Sequence, residues 1–114
     1  MGIKEQVFKQ SIEIYGKEAQ SRQAMEECAE LIQAINKCLR HPNKEECKNN
    51  LIEEICDVEI MLFQLKEMFG ITNEAVESYK LLKAKRENPY AYDIQFFPAK
   101  EVIENGVIDI KSSE

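Results

Sequence analysis

The chain has 114 residues, which is enough for one domain with a modest apolar core. Hydrophobic residues make up 44% of it and charged residues 32%, as expected of a soluble helical protein. A net charge of -6 argues against binding to a nucleic-acid polymer, because such proteins normally carry a basic face. No apolar run approaches the roughly 18 residues of a membrane span and no signal-peptide h-region follows Met1, so we expect no membrane contact.

The first two predicted helices are separated by a glycine. Apolar residues predict a helix over 3–15, and Gly16 breaks or bends it. A longer helix follows over 17–40, and Pro42 ends it. Its apolar stripe repeats at steps of three and four residues and consists of Ala24, Cys28, Leu31, Ile35 and Cys38.

Two further helices are predicted after Pro42. The third spans about 44–69 and stops at Gly70. Its apolar stripe consists of Leu51, Ile55, Val58, Leu62, Leu65 and Phe69. Thr72 or Asn73 caps a fourth helix over 73–87. We therefore expect residues 1–89 to form one all-α domain, a bundle of the four-helix type.

The C-terminal residues 90–114 differ in character and are predicted to form an extension. Asn105-Gly106 lies between apolar residues that favour β-structure, and this turn signal predicts a short β-hairpin near 101–111. Alternatively, the extension lies across a neighbouring subunit.

Cysteine and histidine are placed unfavourably for a transition-metal site. The four cysteines, at 28, 38, 47 and 56, contain no C-x-x-C pair, which argues against zinc. The only histidine, His41, falls in a loop, and a di-iron bundle needs Glu-x-x-His on its helices. We interpret Cys28 and Cys56 as small core residues and expect all four thiols to be reduced in the cytoplasm.

Four acidic residues form two pairs spaced i, i+3, so that each pair shares a helix face: Glu27 with Glu30, and Glu54 with Asp57. At about 100° per residue, Glu54 falls inside the apolar arc of its helix, Glu27 and Asp57 border an arc, and Glu30 lies about 60° beyond one. Facing carboxylates repel each other unless a cation compensates them. The pattern predicts a site for a hard cation, Mg²⁺, with Mn²⁺ as a substitute. The alternative is a set of ordinary solvated surface charges.

Five further side chains are candidates for contacts with an anionic or nucleotide ligand. Gln20 and Gln23 share the face of the first acidic pair and could reach a base or a sugar, although surface glutamines are common on helices. Basic residues recur at steps of three on the fourth helix and could neutralise phosphates: Lys80, Lys83 and Arg86. A solvated basic face near a helix C-terminus explains these three equally well.

The motifs Glu27-x-x-Glu30 and Glu54-x-x-Asp57, with 23 residues between them, resemble those of the MazG-like all-α nucleoside triphosphate pyrophosphohydrolases. The similarity covers roughly residues 10–87 and is closest to small, phage-type members. It implies that these four acids are the catalytic residues and the ligands of Mg²⁺, which holds the nucleotide phosphates. The implied reaction converts an NTP or dNTP and water to the monophosphate and pyrophosphate.

The resemblance also implies a homodimer or a dimer of dimers. Four large aromatic side chains are expected to offer apolar surface to a partner: Phe8, Phe63, Phe69 and Tyr79. Two alternatives stay open. One is a non-catalytic helical oligomerisation module that keeps a vestigial acidic site, and the other is a narrower member of the superfamily that acts on dUTP, dCTP or phosphoribosyl-ATP.

Overall fold

The computed structural model describes residues 2–88, and these residues form four α-helices and no strand. The helices are α1 (Ile3–Tyr15), α2 (Lys17–Arg40), α3 (Glu45–Phe69) and α4 (Asn73–Glu87). The four predicted helices are confirmed, and only the start of α3 differs, by one residue. The predicted extension and its hairpin lie outside the described residues. One compact unit ends at Gly70 and a second begins at Ile71.

Local sequence signals set the helix boundaries. Gly16 lies between α1 and α2 with φ 93° and ψ 160°, a conformation that is essentially restricted to glycine. Gly70 ends α3 in the left-handed region, at φ 65° and ψ 37°. Thr72 caps α4, because its Oγ1 accepts a hydrogen bond from the Ala75 backbone N–H at 3.1 Å. These three positions behave as their residue types predict.

Within the first unit, α2 and α3 form the most extensive helix pair, and they run antiparallel. Near one end, Gln20 Nε2 donates to Gln64 Oε1 at 2.9 Å. Near the other end, the Cys38 thiol donates to the Cys47 carbonyl at 3.1 Å. This register places the middle of α2, with Glu27 and Glu30, opposite the middle of α3, with its own acidic pair.

The first helix packs on both α2 and α3 through polar and aromatic contacts. Gln64 is 2% exposed, and its Nε2 donates to the Phe8 carbonyl at 2.8 Å. The rings of Phe8 and Phe63 meet edge to face with centroids 6.1 Å apart. Phe8 and Phe63 are half-buried and pack against each other within the unit. That they offer apolar surface to a partner stays a prediction.

The buried strip between α2 and α3 includes fewer residues than the predicted apolar stripes of these helices. Among described residues of the first unit, the buried residues are Ala24, Ala34, Met61 and Gln64. On α2 and α3 the following stripe members are exposed instead: Cys28, Ile35, Ile55, Leu62 and Phe69. Cys56 is exposed as well, so the interpretation of Cys28 and Cys56 as core residues is wrong. The cause is geometric: each apolar arc is wider than the strip that one neighbouring helix covers.

The second unit contains α4. Leu81 is its buried residue, whereas Tyr79 is 65% exposed. Lys80 forms an ion pair with Glu77 at 3.0 Å, one helical turn away. None of the described helices combines the length and the apolar character that crossing a membrane requires.

Candidate metal centre

Three of the four predicted acidic residues come together where α2 faces α3. One carboxylate oxygen from each of Glu27, Glu30 and Glu54 lies within 4.8 Å of the other two. Asp57 is not a member of this group of three, although its charge acts on Glu54. The antiparallel register explains the grouping, because it sets the centre of α2 against the centre of α3.

Glu27 and Glu54 each direct an oxygen into the seam without a hydrogen-bond partner. Oε1 of Glu27 and Oε1 of Glu54 are both shielded from solvent, and neither accepts a hydrogen bond from the described residues. Buried polar atoms in native proteins are nearly always paired, so these two oxygens on facing helices make the group a candidate ligand site. Among the described residues, Ser21 Oγ is a third buried atom without a hydrogen-bond partner. Carboxylate oxygens are the ligand atoms that a hard divalent cation prefers.

The other oxygen of Glu27 is held in place. Gln23 Nε2 donates to Glu27 Oε2 at 2.8 Å, one turn earlier on α2. This amide leaves the Oε1 atom of Glu27 free for a different partner. Gln23, predicted as a substrate contact, thus supports a carboxylate of the group.

The pKa of Glu54 is raised above its ordinary value of 4.5. Desolvation of the carboxylate is the largest cause, followed by the negative charges of Glu30, Asp57, Glu27 and Glu53. The metal-free site therefore holds more negative charge than its surroundings compensate. A bound divalent cation would remove this conflict.

Two basic residues of the same unit form their ion pairs away from this group. Arg22 pairs with Glu18 at 2.8 Å, one turn apart on an exposed face of α2. Lys9 pairs with Glu67 at 3.5 Å, between α1 and the end of α3. Neither cation neutralises the group of three carboxylates.

The remaining predicted site residues have other positions. Gln20 bonds to Gln64 across the α2–α3 seam, which gives it a structural partner. On α4, in the second unit, three basic residues are exposed: Lys80, Lys83 and Arg86. Sequence reasoning missed Gln64 as an organising residue, since its burial depends on α1, and a glutamine at the edge of a stripe carries no signal for that contact.

The chain matches no protein-family model, and no curated protein or solved structure matches it at a significant level.

Proposed function

We propose that the protein is a Mg²⁺-dependent nucleoside triphosphate pyrophosphohydrolase, which converts an NTP or dNTP to the monophosphate and pyrophosphate. The observation that carries the proposal is the pair of shielded, unpartnered oxygens on Glu27 and Glu54. The motif resemblance to MazG-like enzymes supplies the reaction class. A helical scaffold with acidic residues between two of its helices is compatible with both the cation site and this reaction class.

In this proposal Glu27, Glu30 and Glu54 hold the cation, and Mn²⁺ can replace Mg²⁺. Gln23 orients Glu27 through its 2.8 Å hydrogen bond. Asp57 adds negative charge beside Glu54. When bound, Mg²⁺ supplies the positive charge that lets an acidic seam accept a triphosphate.

The resemblance supplies the substrate class, and the charge of the site explains why that substrate would need the cation. A triphosphate carries about three to four negative charges, which a bare group of carboxylates would repel. A nucleotide that enters as its magnesium complex is attracted instead, because the carboxylates then act on the cation. The proposal places the enzyme in the cytoplasm, with free nucleotides as its substrates.

The second candidate is a non-catalytic oligomerisation module with a vestigial acidic site. It is favoured by the many large apolar side chains that the single chain leaves exposed, such as Ile32, Leu39 and Ile52. The two candidates differ in turnover, since a vestigial site releases no pyrophosphate.

The test is pyrophosphate release from a panel of canonical and modified NTPs and dNTPs, with Mg²⁺ and with EDTA. We expect Mg²⁺-dependent release by the wild-type protein, and a loss of about 10²-fold or more in Glu54→Gln, because a cation at the reacting phosphates contributes several kcal/mol. Glu53→Gln, which changes the neighbouring exposed carboxylate, is the matched control and should keep its activity.

Two results would contradict the proposal. One is silence across the whole panel from folded wild-type protein, which would favour the oligomerisation module. The other is activity in Glu54→Gln close to that of Glu53→Gln, which would remove the site from the reaction.

A further inference from the structure

Cys38 and Cys47 lie together where α2 and α3 meet the loop that joins them. The Cys38 thiol donates to the Cys47 backbone carbonyl at 3.1 Å. Both residues are free cysteines and half-buried, whereas Cys28 and Cys56 are exposed. The four cysteines therefore divide into one pair in contact between two helices and two single thiols at the surface.

The register of the two helices places Cys38 opposite Cys47. At the far end of the pair, Gln20 donates a hydrogen bond to Gln64. Cys38 lies about five turns after Gln20 on α2, and Cys47 lies about five turns before Gln64 on α3. A whole number of turns returns to the same face of a helix, so both cysteines lie on the faces that meet. The exposure pattern agrees, because the residues immediately before and after each cysteine are exposed.

The helices can approach each other closely enough at this point for a bond between the two sulfur atoms. Ala34, about one turn before Cys38, is 1% exposed, so a small side chain is fully covered there. Helices that pack through small residues have axes about 8 to 9 Å apart, which leaves facing Cα atoms about 4 to 5 Å apart. Disulfides join Cα atoms that are about 4.4 to 6.8 Å apart. The bond therefore requires rotation of the cysteine side chains and no rearrangement of the helices.

We propose that Cys38 and Cys47 are a redox-sensitive pair, which hydrogen peroxide converts to a disulfide between α2 and α3. The thiolate of one cysteine attacks the peroxide and becomes a sulfenic acid, and the released hydroxide takes up the thiol proton as water. The thiol of the other cysteine then displaces the sulfenic oxygen as a second water, and the sulfur–sulfur bond forms. Each sulfur loses one electron, and the peroxide gains both. A dithiol reductant reverses the step by thiol–disulfide exchange.

The disulfide would hold the helix pair together at its loop end. It closes a loop of ten residues, and this restricts the unfolded chain more than the folded one. Glu30 and Glu54 lie about two turns from the cysteine of their own helix, so the bond stabilises the elements that carry the acidic group. Disulfides in reducing compartments are usually transient and redox-sensing, which fits a reversible bond. The inference does not depend on the proposed reaction.

The first test treats the folded full chain with hydrogen peroxide, removes the oxidant with catalase, blocks free thiols with a maleimide and digests the protein without reductant. Trypsin cuts after Arg40 and Lys44, between the two cysteines, so the disulfide appears as one mass that joins two short peptides. We expect this linked mass in the wild type and in Cys28→Ser/Cys56→Ser. Dithiothreitol should remove it, and Cys38→Ser should not form it.

The linked mass should be at least about 10-fold more abundant than any link through Cys28 or Cys56, because only the facing pair has a high effective concentration. A wild type that forms no link between Cys38 and Cys47 would overturn the proposal. Equal amounts of links through Cys28 or Cys56 would overturn it as well.

The second test separates the effect of the fold from that of the short loop, since two cysteines so close in sequence also meet in an unfolded chain. The Cys28→Ser/Cys56→Ser chain, which keeps only this pair, is equilibrated with a glutathione redox buffer in the absence and in the presence of concentrated urea. The ratio of disulfide to dithiol gives the effective concentration of the two thiols. We expect it to be at least about 10-fold higher in the folded protein, and the oxidised form should then unfold at a higher urea concentration. Equal effective concentrations in the two conditions would overturn the proposal.

Discussion

Glu54 is the residue of the site whose charged form is disfavoured by its surroundings. It keeps partial access to solvent, but its Oε1 atom is covered and unpartnered. Three neighbouring acids of the two motifs add to the desolvation that raises its pKa. A charged carboxylate placed in this way destabilises the folded protein, and in the proposed site a bound cation would remove that cost.

The raised pKa of Glu54 predicts how the stability of the metal-free protein depends on pH. The folded protein holds this proton more tightly than the unfolded chain, so folding is favoured when the carboxyl is protonated. The free energy of unfolding should therefore fall as the pH rises from the ordinary value of 4.5 through the raised pKa. Glu54→Gln removes the titrating group and should be more stable than the wild type at neutral pH, with a flatter profile.

Urea unfolding in EDTA between about pH 4 and pH 8, at one fixed protein concentration, measures this profile. Glu53→Gln is the matched control and should follow the wild-type slope closely. If Glu54→Gln and the wild type gave the same profile, the assignment of the conflict to Glu54 would be wrong.

The helices themselves follow from short sequence signals. Gly16, Gly70 and Thr72 each set a boundary by a local property, namely backbone freedom or a side-chain cap, and such properties are readable without the fold. The burial of a side chain, in contrast, is not decided by its neighbours in the sequence. Ile35 and Leu62 look like core residues in a helical wheel, yet they are exposed, because their neighbours in space are decided by the packing of whole helices.

For the acidic site, too, the helical spacing could be read from the sequence, whereas the arrangement in space could not. The helical spacing predicted Glu27, Glu54 and Asp57 at the seam, with Glu30 beside them. The structure instead brings oxygens of Glu27, Glu30 and Glu54 within 4.8 Å of one another. The sequence did not separate Asp57 from this group, because helical spacing does not give the positions of individual carboxylate oxygens. The hydrogen bond from Gln23 to Glu27 could not be predicted either, because it depends on side-chain conformations that the sequence does not give.

The two interhelical glycines should differ in their tolerance of substitution. A Cβ atom would meet nothing within 4 Å at Gly16 or Gly70, so only the backbone conformation matters. Gly70→Ala should cost about 1 to 2 kcal/mol, as is usual for the left-handed region. Gly16→Ala should cost more, up to about 3 kcal/mol, because its φ and ψ fall in a region that is essentially restricted to glycine.

Urea midpoints of the two alanine variants check this order, and Gly70→Asn should be nearly neutral as a control. A Gly16→Ala variant as stable as the wild type would show that α1 and α2 can be joined by a different turn.

Gln64 connects all three helices of the first unit. It receives a hydrogen bond from Gln20 and donates one to the Phe8 carbonyl, at 2% exposure. Gln64→Leu keeps much of the volume but leaves the Gln20 amide without its acceptor, so it should cost about 1 to 3 kcal/mol. Gln10→Leu, at an exposed position of α1, is the control, and chemical denaturation measures both. Equal stability of the two variants would show that the Gln64 bonds contribute nothing net.

At the scale of the whole molecule, the proposed cation site lies between α2 and α3, which form the most extensive helix pair of the first unit. Cation binding and stability should therefore be linked, since a cation that binds only the folded protein would add about 2.7 kcal/mol at 100 times its Kd.

The central claim is that Glu27, Glu30 and Glu54 form one site for a divalent cation. Titration of Mg²⁺ into the protein in a calorimeter tests it most directly, with Glu54→Gln and Glu53→Gln compared with the wild type. We predict that the wild type and Glu53→Gln bind Mg²⁺ with similar affinity and that Glu54→Gln binds at least about 10-fold more weakly. Equal affinity in all three proteins, or no binding to the wild type, would contradict the account.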